Sequence, residues 1–456
     1  MNRQETNSRQ ALPAYTAAAV CLLCTAARVM TLSGGSAADR FLVLSVLLAL
    51  GALAVVLLRR SCPALPLHWA VFAVAAAILL RALCLDYKSG DYNTFLSRWA
   101  AYFRENGGFR AISANIGDYN APYLYFVAAI SYLGTPDLYL YKLFSILFDV
   151  LLAWGCLRVT VLTAGDERPY AGAAAFVGAL LLPTVILNGA YWGQCDSIYA
   201  ALTLHALALL MEERPVPSLA VLAAAFSFKL QSIFLIPLWG AAWLAGRVRF
   251  RQLFVFPAAY ALTILPALML GKPLGDILGV YFNQMGEYGK LTLNAPSVFQ
   301  FLPYKEAVNE TLLSALGVAA AMALALAVLA AGFALRGRLD SGALLGLGVV
   351  LAIGVPFFLP HMHERYFFLA DVLTLCWACT ARRRLPVCVL AAGSSLACYL
   401  VYLRLKYNLV LTVGDHRFVM AVEAVAMLAA LVLSVVEFIR IFKECNAKPL
   451  DRRNEG

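Results

Sequence analysis

The sequence predicts an all-α, polytopic membrane protein with about 13–14 transmembrane helices. Three observations predict it. Hydrophobic residues make up 62% of the 456 positions and charged residues only 14%, giving a mean hydropathy of +0.77. Apolar runs of roughly 17–25 residues, the length that crosses a bilayer core, recur from end to end. Basic residues gather in short loops beside those runs, as they do on the cytoplasmic side of membrane proteins. A β-barrel would instead show segments of about 10 residues with alternating polarity, and the sequence has none. The net charge of +10 resides in those basic loops, so it points to membrane lipids as neighbours and not to nucleic acid.

In order, the spans fall at 12–32, 41–58, 66–85, 138–163, 170–188, 197–211, 216–228, 232–246, 252–271, 311–335, 340–359, 366–381, 386–403 and 417–441. Arg59–Arg60, Arg247/Arg249/Arg251, Arg336/Arg338, Arg382–Arg384 and Lys443/Lys448/Arg452/Arg453 mark one side as cytoplasmic. The parity then puts both chain ends inside. It leaves 86–137, 189–196, 229–231, 272–310, 360–365 and 404–416 on the outer face. The whole chain, 1–456, reads as a single integral membrane domain. It carries a first large outer loop at 86–137, a second at 272–310 and a basic cytoplasmic tail at 442–456. No cleavable signal peptide is evident, because the second apolar run follows the first before any clear cleavage site.

Within the first outer loop, 92–106 reads as an amphipathic helix on the membrane surface. Tyr92, Phe95, Leu96, Trp99, Tyr102 and Phe103 share one side, while Asn93, Thr94, Ser97, Arg98, Arg104 and Glu105 share the other. Residues 121–133 are apolar but short. A full crossing there would put Arg158, Glu167 and Arg168 outside, so a half-inserted or interfacial helix is expected. The short runs on either side of Lys229 read as a hairpin with Phe228–Gln231 at its tip. Short, broken helices are tolerated at membrane depth where they line a cavity. Eleven cysteines lie mostly inside apolar runs. The Cys376/Cys379 pair is one helical turn within a span and reads as buried or lipid-facing thiols.

In so apolar a chain each polar cluster needs a reason, and by the parity above most of them share one side. Asp91 precedes the amphipathic helix as a cap or as a general base. Asp118 precedes Tyr119, Asn120 and Pro122 and either caps the next helix or positions a substrate. Trp192, Gln194 and Asp196 break an apolar pattern. Asp196 could cap a helix starting at Ser197, and Trp192 with Tyr191 could anchor at the interface. Equally, aromatics beside a carboxylate and an amide suit a sugar ring. Lys229, with Gln231 beside it, either snorkels or meets an anionic ligand. His361, His363, Glu364 and Arg365 crowd a helix start. They are a weak zinc signal and read equally as a surface loop, while Arg365 suits planar phosphate recognition. Asp149, inside a span with Lys142 two turns before it, implies an internal partner, structural or functional.

These pieces together resemble the GT-C superfamily of membrane glycosyltransferases, in particular bacterial relatives of the GPI mannosyltransferases. The matching residues run through 86–371. They are Asp91-Tyr-Asn93-Thr-Phe95 with Trp99, Asp118 to Tyr125 (similar to D-Y-P-P-x-Y-x-Y), Lys142 to Asp149, Trp192 to Ser197, Lys229 to Gln231 and Met362 to Tyr366. Asn120-Ala121 replaces the usual first proline and its neighbour, and nothing after Leu373 matches. The resemblance implies a GT-C-type fold in the bacterial plasma membrane with its site on the extracytoplasmic face. It implies transfer of a hexose, mannose as the working guess, from a polyprenyl-phosphate donor to a lipid, glycan or protein acceptor, with inversion. Asp91 would be the base. Asp118, Tyr119, Asn120, Trp192, Gln194, Asp196, Lys229, Gln231, His363, Glu364 and Arg365 would bind substrate. No cofactor is required, although Asp91 with Asp118 is compatible with a divalent ion (Mg or Mn). The chief alternative is a transporter or lipid flippase. It would place its ionisable residues near the bilayer midplane, where Asp149 is the residue it would rely on.

Overall fold

The computed structural model describes residues 3–117, 119–166, 168–286, 290–302, 309–404 and 416–447. Among them nine helices are long and apolar enough to cross a membrane. A tenth is counted if the bent pair 171–181 and 183–192 is one span. The chain is an all-α integral membrane protein. Its predicted spans each correspond to a helix or a helix pair, but those at 197–211, 216–228, 232–246 and 366–381 are shorter than a bilayer crossing needs, so nine or ten of the described helices qualify where 13–14 were expected.

Helices α1 (Arg3–Met30), α2 (Ala37–Ser61) and α3 (Leu67–Cys84) form the first hairpins. Ser36 and Asp39 close a reciprocal capping box at the start of α2. The outer loop carries α4 (Ser97–Glu105) and α5 (Ala121–Ile130). Helix α6 (Asp137–Ala164) returns through the core, followed by α7 (Ala171–Leu181) and the single turn α8 (Pro183–Ile186). Short helices α9 (Asp196–Met211), α10 (Pro215–Phe228) and α11 (Ile236–Leu244) come next, then α12 (Val255–Met269) and α13 (Leu274–Gly286). Four helices close the bundle after the long α14 (Glu310–Ala334). They are α15 (Ser341–Phe358), α16 (Phe368–Thr380), α17 (Leu385–Tyr402) and α18 (His416–Asn446).

Short connections make successive helices antiparallel, and ties between connections fix the two ends. At one end Asp86 accepts from Arg28 (2.8 Å), Ser33 and Tyr139 (2.8 Å). At the other, Arg158 pairs with Glu212 (2.7 Å), Arg247 with Glu213 (3.4 Å), and Arg383 and Arg384 with Glu437. Residues 121–133 do not cross. Asn120 sits in the wall of a cavity with Asp91, and Thr135, after α5, bonds Asp39 at the Asp86 end. Both flanks therefore lie at one end, as a half-inserted or interfacial helix requires.

The core of the bundle answers the question about Lys142 and Asp149. Lys142 Nζ donates to the carbonyls of Cys84, Leu85 and Tyr87 at 2.7–3.0 Å. It thereby satisfies acceptors that the end of α3 leaves without helical partners. Asp149 pairs with Arg81 Nε (2.9 Å) and accepts from Ser197 (2.5 Å). Arg81 also donates to Leu180 O at 2.8 Å, just before the break between α7 and α8. Lys142 and Asp149 both serve as braces between helices.

A candidate active site at one end of the bundle

Two π-helical turns shape the site, Tyr92–Leu96 and Leu187–Trp192. Such wide turns re-aim the side chains that follow them. The second closes on Gly193 with φ 85°, a left-handed conformation that suits glycine. Its backbone bonds Gln194 N to Asn188 O at 2.9 Å, which turns the 192–196 segment back toward the loop helix.

Asp91 is not a helix cap. It has helical backbone angles and makes no capping bond. Ser89 takes that role, accepting from Tyr92 N (3.1 Å) while donating to Trp192 O (2.7 Å). The Asp91 carboxylate is thus released toward the cavity. Its Oδ2 accepts from Trp192 Nε1 (2.9 Å) and Gln194 Nε2 (2.6 Å), and its Oδ1 accepts from the Tyr402 hydroxyl (3.1 Å). Gln194 cannot flip without loss, because its Oε1 accepts from Tyr119 at 3.2 Å. Burial pushes the Tyr119 phenol well above its usual range, so it remains a donor. A carboxylate has about four lone-pair sites. Three are used, and the fourth belongs to Oδ1.

Asp196 is not a cap either. Helix α9 begins at Asp196 itself, after Cys195, with no side-chain cap. Its Oδ2 accepts from Asn188 (2.7 Å), and its Oδ1 bonds Lys229 Nζ. Lys229 sits in extended backbone between α10 and the 3-10 turn Leu230–Leu235 and is buried. It does not snorkel. Its standing partner is Asp196. Trp192 is likewise no interfacial anchor. It is 1% exposed and stacked on Tyr402 at 4.6 Å. Tyr191 stacks on Tyr87 at 3.7 Å.

The third contributor is the turn after α15. A two-residue parallel pairing joins β1 (Thr292–Leu293) to β2 (Met362–His363), and His361 bonds the backbone of Lys290 and Leu291. This pins the 3-10 turn Glu364–Phe367. Arg365 lies 3.9 Å from Asp91, 4.0 Å from Asp196 and 3.8 Å from Glu364. Its guanidinium is 5.4 Å from the Trp192 ring centre. Burial opposes its charge, but Tyr366, Asp196, Tyr119 and Glu364 hold it firmly protonated. Its Nε has no hydrogen-bond partner among the described residues.

These elements enclose a cavity of about 150 Å³, far more than one water requires. Of the predicted residues, Asp91, Tyr119, Asn120, Gln194, Lys229, Gln231, His363 and Arg365 form its wall. Trp192, Asp196 and Glu364 stand behind it, holding Asp91, Lys229 and Arg365 respectively. Asp118 lies outside the described residues, and with it half of the expected divalent-ion site. Among the described residues no group of three or more His, Cys, Asp or Glu is arranged to hold a metal. Facing the cavity are the Asp91 carboxylate and the side chains of Lys229 and Arg365, with Asp196 and Glu364 close behind the two basic groups.

Sequence reasoning missed Tyr402, which completes the Asp91 environment from α17, far beyond the last matching motif. Its only local signal is an aromatic at a span end, which an interfacial belt explains equally well. Phe95, Leu96, Trp99, Phe228 and Tyr366 also line the cavity.

No protein-family model and no curated protein matches the chain. Among solved structures it is similar to the crystal structure of ArnT from Cupriavidus metallidurans in the apo state. The two share 16% identity over 81% of this chain and 76% of that one, with a TM-score of 0.42.

Proposed function

We propose that this chain is a membrane glycosyltransferase. It moves a hexose, with mannose the first sugar to try, from a polyprenyl-phosphate donor to an acceptor hydroxyl on the extracytoplasmic face, with inversion. The observation that carries this reading is the shared cavity. One carboxylate with an open acceptor site faces Lys229, His363 and Arg365 across a wall of aromatic residues.

The chemistry needs few parts. The acceptor O–H donates to Asp91 Oδ1 and passes its proton there as the oxygen attacks the anomeric carbon. The bond from that carbon to phosphate breaks, and polyprenyl phosphate departs with an extra negative charge. Because a phosphate leaves readily, one base near the acceptor suffices. Cations preorganised at the phosphate stabilise the developing charge. Arg365, with its unpartnered Nε, and Lys229 are suited to that task. A second feature fits the lipid part of the donor. An apolar groove of about 580 Å³ runs among α10, α11, α12, α14 and α15, lined by Leu222, Phe234, Trp239, Phe256, Met322 and Leu359 among others. Its wall includes Ile233, two residues beyond Gln231 of the cavity. The bracing of Asp149 by Arg81 and Ser197 leaves a transporter reading without its principal residue.

The test is purified protein in nanodiscs offered polyprenyl-phosphate mannose, glucose, galactose and arabinose in turn. Release of polyprenyl phosphate that depends on one sugar is the expected result. No release from any donor, even with crude cell-envelope acceptors present, would overturn the reading and make a transport assay the next step.

A further inference from the structure

Asn120 occupies the position before α5 where asparagine ordinarily caps a helix by accepting from the second or third helical N–H. Here it makes no such bond. The local sequence explains why. The second helical residue is Pro122, which has no N–H, and the Tyr123 N–H already bonds the main-chain oxygen of Asn120 at 3.1 Å. The amide is therefore left over. It is 4% exposed, it lines the cavity, and neither its Oδ1 nor its Nδ2 has a hydrogen-bond partner among the described residues. Gln231, from the turn after Lys229, is 6% exposed. It lines the same cavity and leaves its Oε1 without a partner.

A buried amide without partners is expensive, about 1–3 kcal/mol per group, so these atoms are expected to find partners in whatever fills the cavity. The kind of partner follows from their polarity. Asn120 Oδ1 and Gln231 Oε1 are acceptors and need donors. Phosphate oxygens cannot supply them, and those suit the Lys229 and Arg365 side instead. A hydroxyl both donates and accepts, as water does, and replaces water at such a position without loss of hydrogen bonds.

We propose that Asn120 and Gln231 hold hydroxyl groups of the transferred sugar, and that Asn120 sets which sugar is accepted. This rests on the reading of the chain as a glycosyltransferase.

The experiment pairs binding with turnover. In nanodiscs, affinity is measured for bare polyprenyl phosphate and for the mannose, glucose, galactose and arabinose conjugates. Single-deoxy analogues of the preferred conjugate are added. Wild type, Asn120→Ala, Asn120→Pro and Gln231→Leu are compared. Asn120 has φ −66°, within the range of proline, so Asn120→Pro keeps the backbone while deleting the amide. The expected result is that wild type loses roughly 5- to 150-fold on one deoxy analogue. Asn120→Ala and Asn120→Pro would show the same loss on the full sugar and no further loss on that analogue. An equal loss by the Asn120 variants on every donor and on bare polyprenyl phosphate would overturn the assignment and leave the enzyme class standing. Wild type that neither prefers a sugar conjugate over bare polyprenyl phosphate nor releases product would overturn the function itself, and the assignment with it.

Discussion

Replacing Asp91 by asparagine should remove the base while leaving the site assembled, and the hydrogen bonds show why. Oδ2 faces two donors, Trp192 Nε1 at 2.9 Å and Gln194 Nε2 at 2.6 Å. An amide nitrogen there would meet donors with a donor, so the asparagine oxygen must take that side. Its NH₂ then faces Tyr402, whose hydroxyl can accept in place of donating. Every neighbour keeps a partner, yet the open position beside the acceptor becomes an N–H that cannot take a proton. The expected loss in turnover is the general-base contribution, about 10²–10⁴-fold, or roughly 2.7–5.4 kcal/mol of barrier. Asp91→Ala is the contrast. It strands the Trp192 and Gln194 donors at about 1–3 kcal/mol each and should lower the melting temperature as well. The assay is release of labelled polyprenyl phosphate alongside a melt of the same nanodisc sample. Turnover within threefold of wild type in Asp91→Asn would refute Asp91 as the base. A melting loss as large as that of the alanine variant would refute the hydrogen-bond argument.

Tyr402→Phe removes one bond to a charged acceptor, about 1.5–3 kcal/mol. It should lower kcat about tenfold or more while leaving the donor KM unchanged, and a KM effect alone would rule out its positioning of the carboxylate. Arg81→Met strands Asp149 in the core and should destabilise by about 3–5 kcal/mol. Adding Asp149→Leu should recover most of that in a thermal or denaturant melt, and a double variant no better than the single would count against the brace. At the cavity end of the bundle, burial of Asp86 raises its pKa, but hydrogen bonds from Arg28, Tyr139 and Ser33 outweigh this and bring it from 3.8 to about 2. A depressed carboxylate stabilises the fold above its ordinary range, and that contribution fades as pH falls from about 4 toward 2. Melting curves across this window should therefore fall more steeply in wild type than in Asp86→Asn, and parallel curves would contradict the pairing.

Much of this molecule is readable from its order of residues, because a polar side chain in an apolar chain is conspicuous and a span has a fixed length. The helices, the short 121–133 segment that does not cross and the eight predicted residues in the cavity wall all follow from that contrast. What the contrast cannot give is who meets whom. Asp91, Asp196 and Lys229 each had a local explanation, as caps or as a snorkelling amine, and for all three a partner from another helix supplies the actual one. Asp149 needed a partner, but only packing reveals that it is Arg81, 68 positions earlier. Tyr402 was invisible because one tyrosine at the end of a span is common. Trp192, Asp196 and Glu364 looked like contact residues and instead stand one layer back.

The bond between Tyr402 and Asp91 joins residues 311 positions apart. A ribosome making 5–20 residues per second needs roughly 15–60 s to cover that distance. During that interval the rest of the loop, both π-turns and the middle helices emerge, while the carboxylate lacks its partner from α17. The site is therefore assembled late in translation, and a chain stalled before residue 402 would carry every predicted site residue and still lack that hydroxyl.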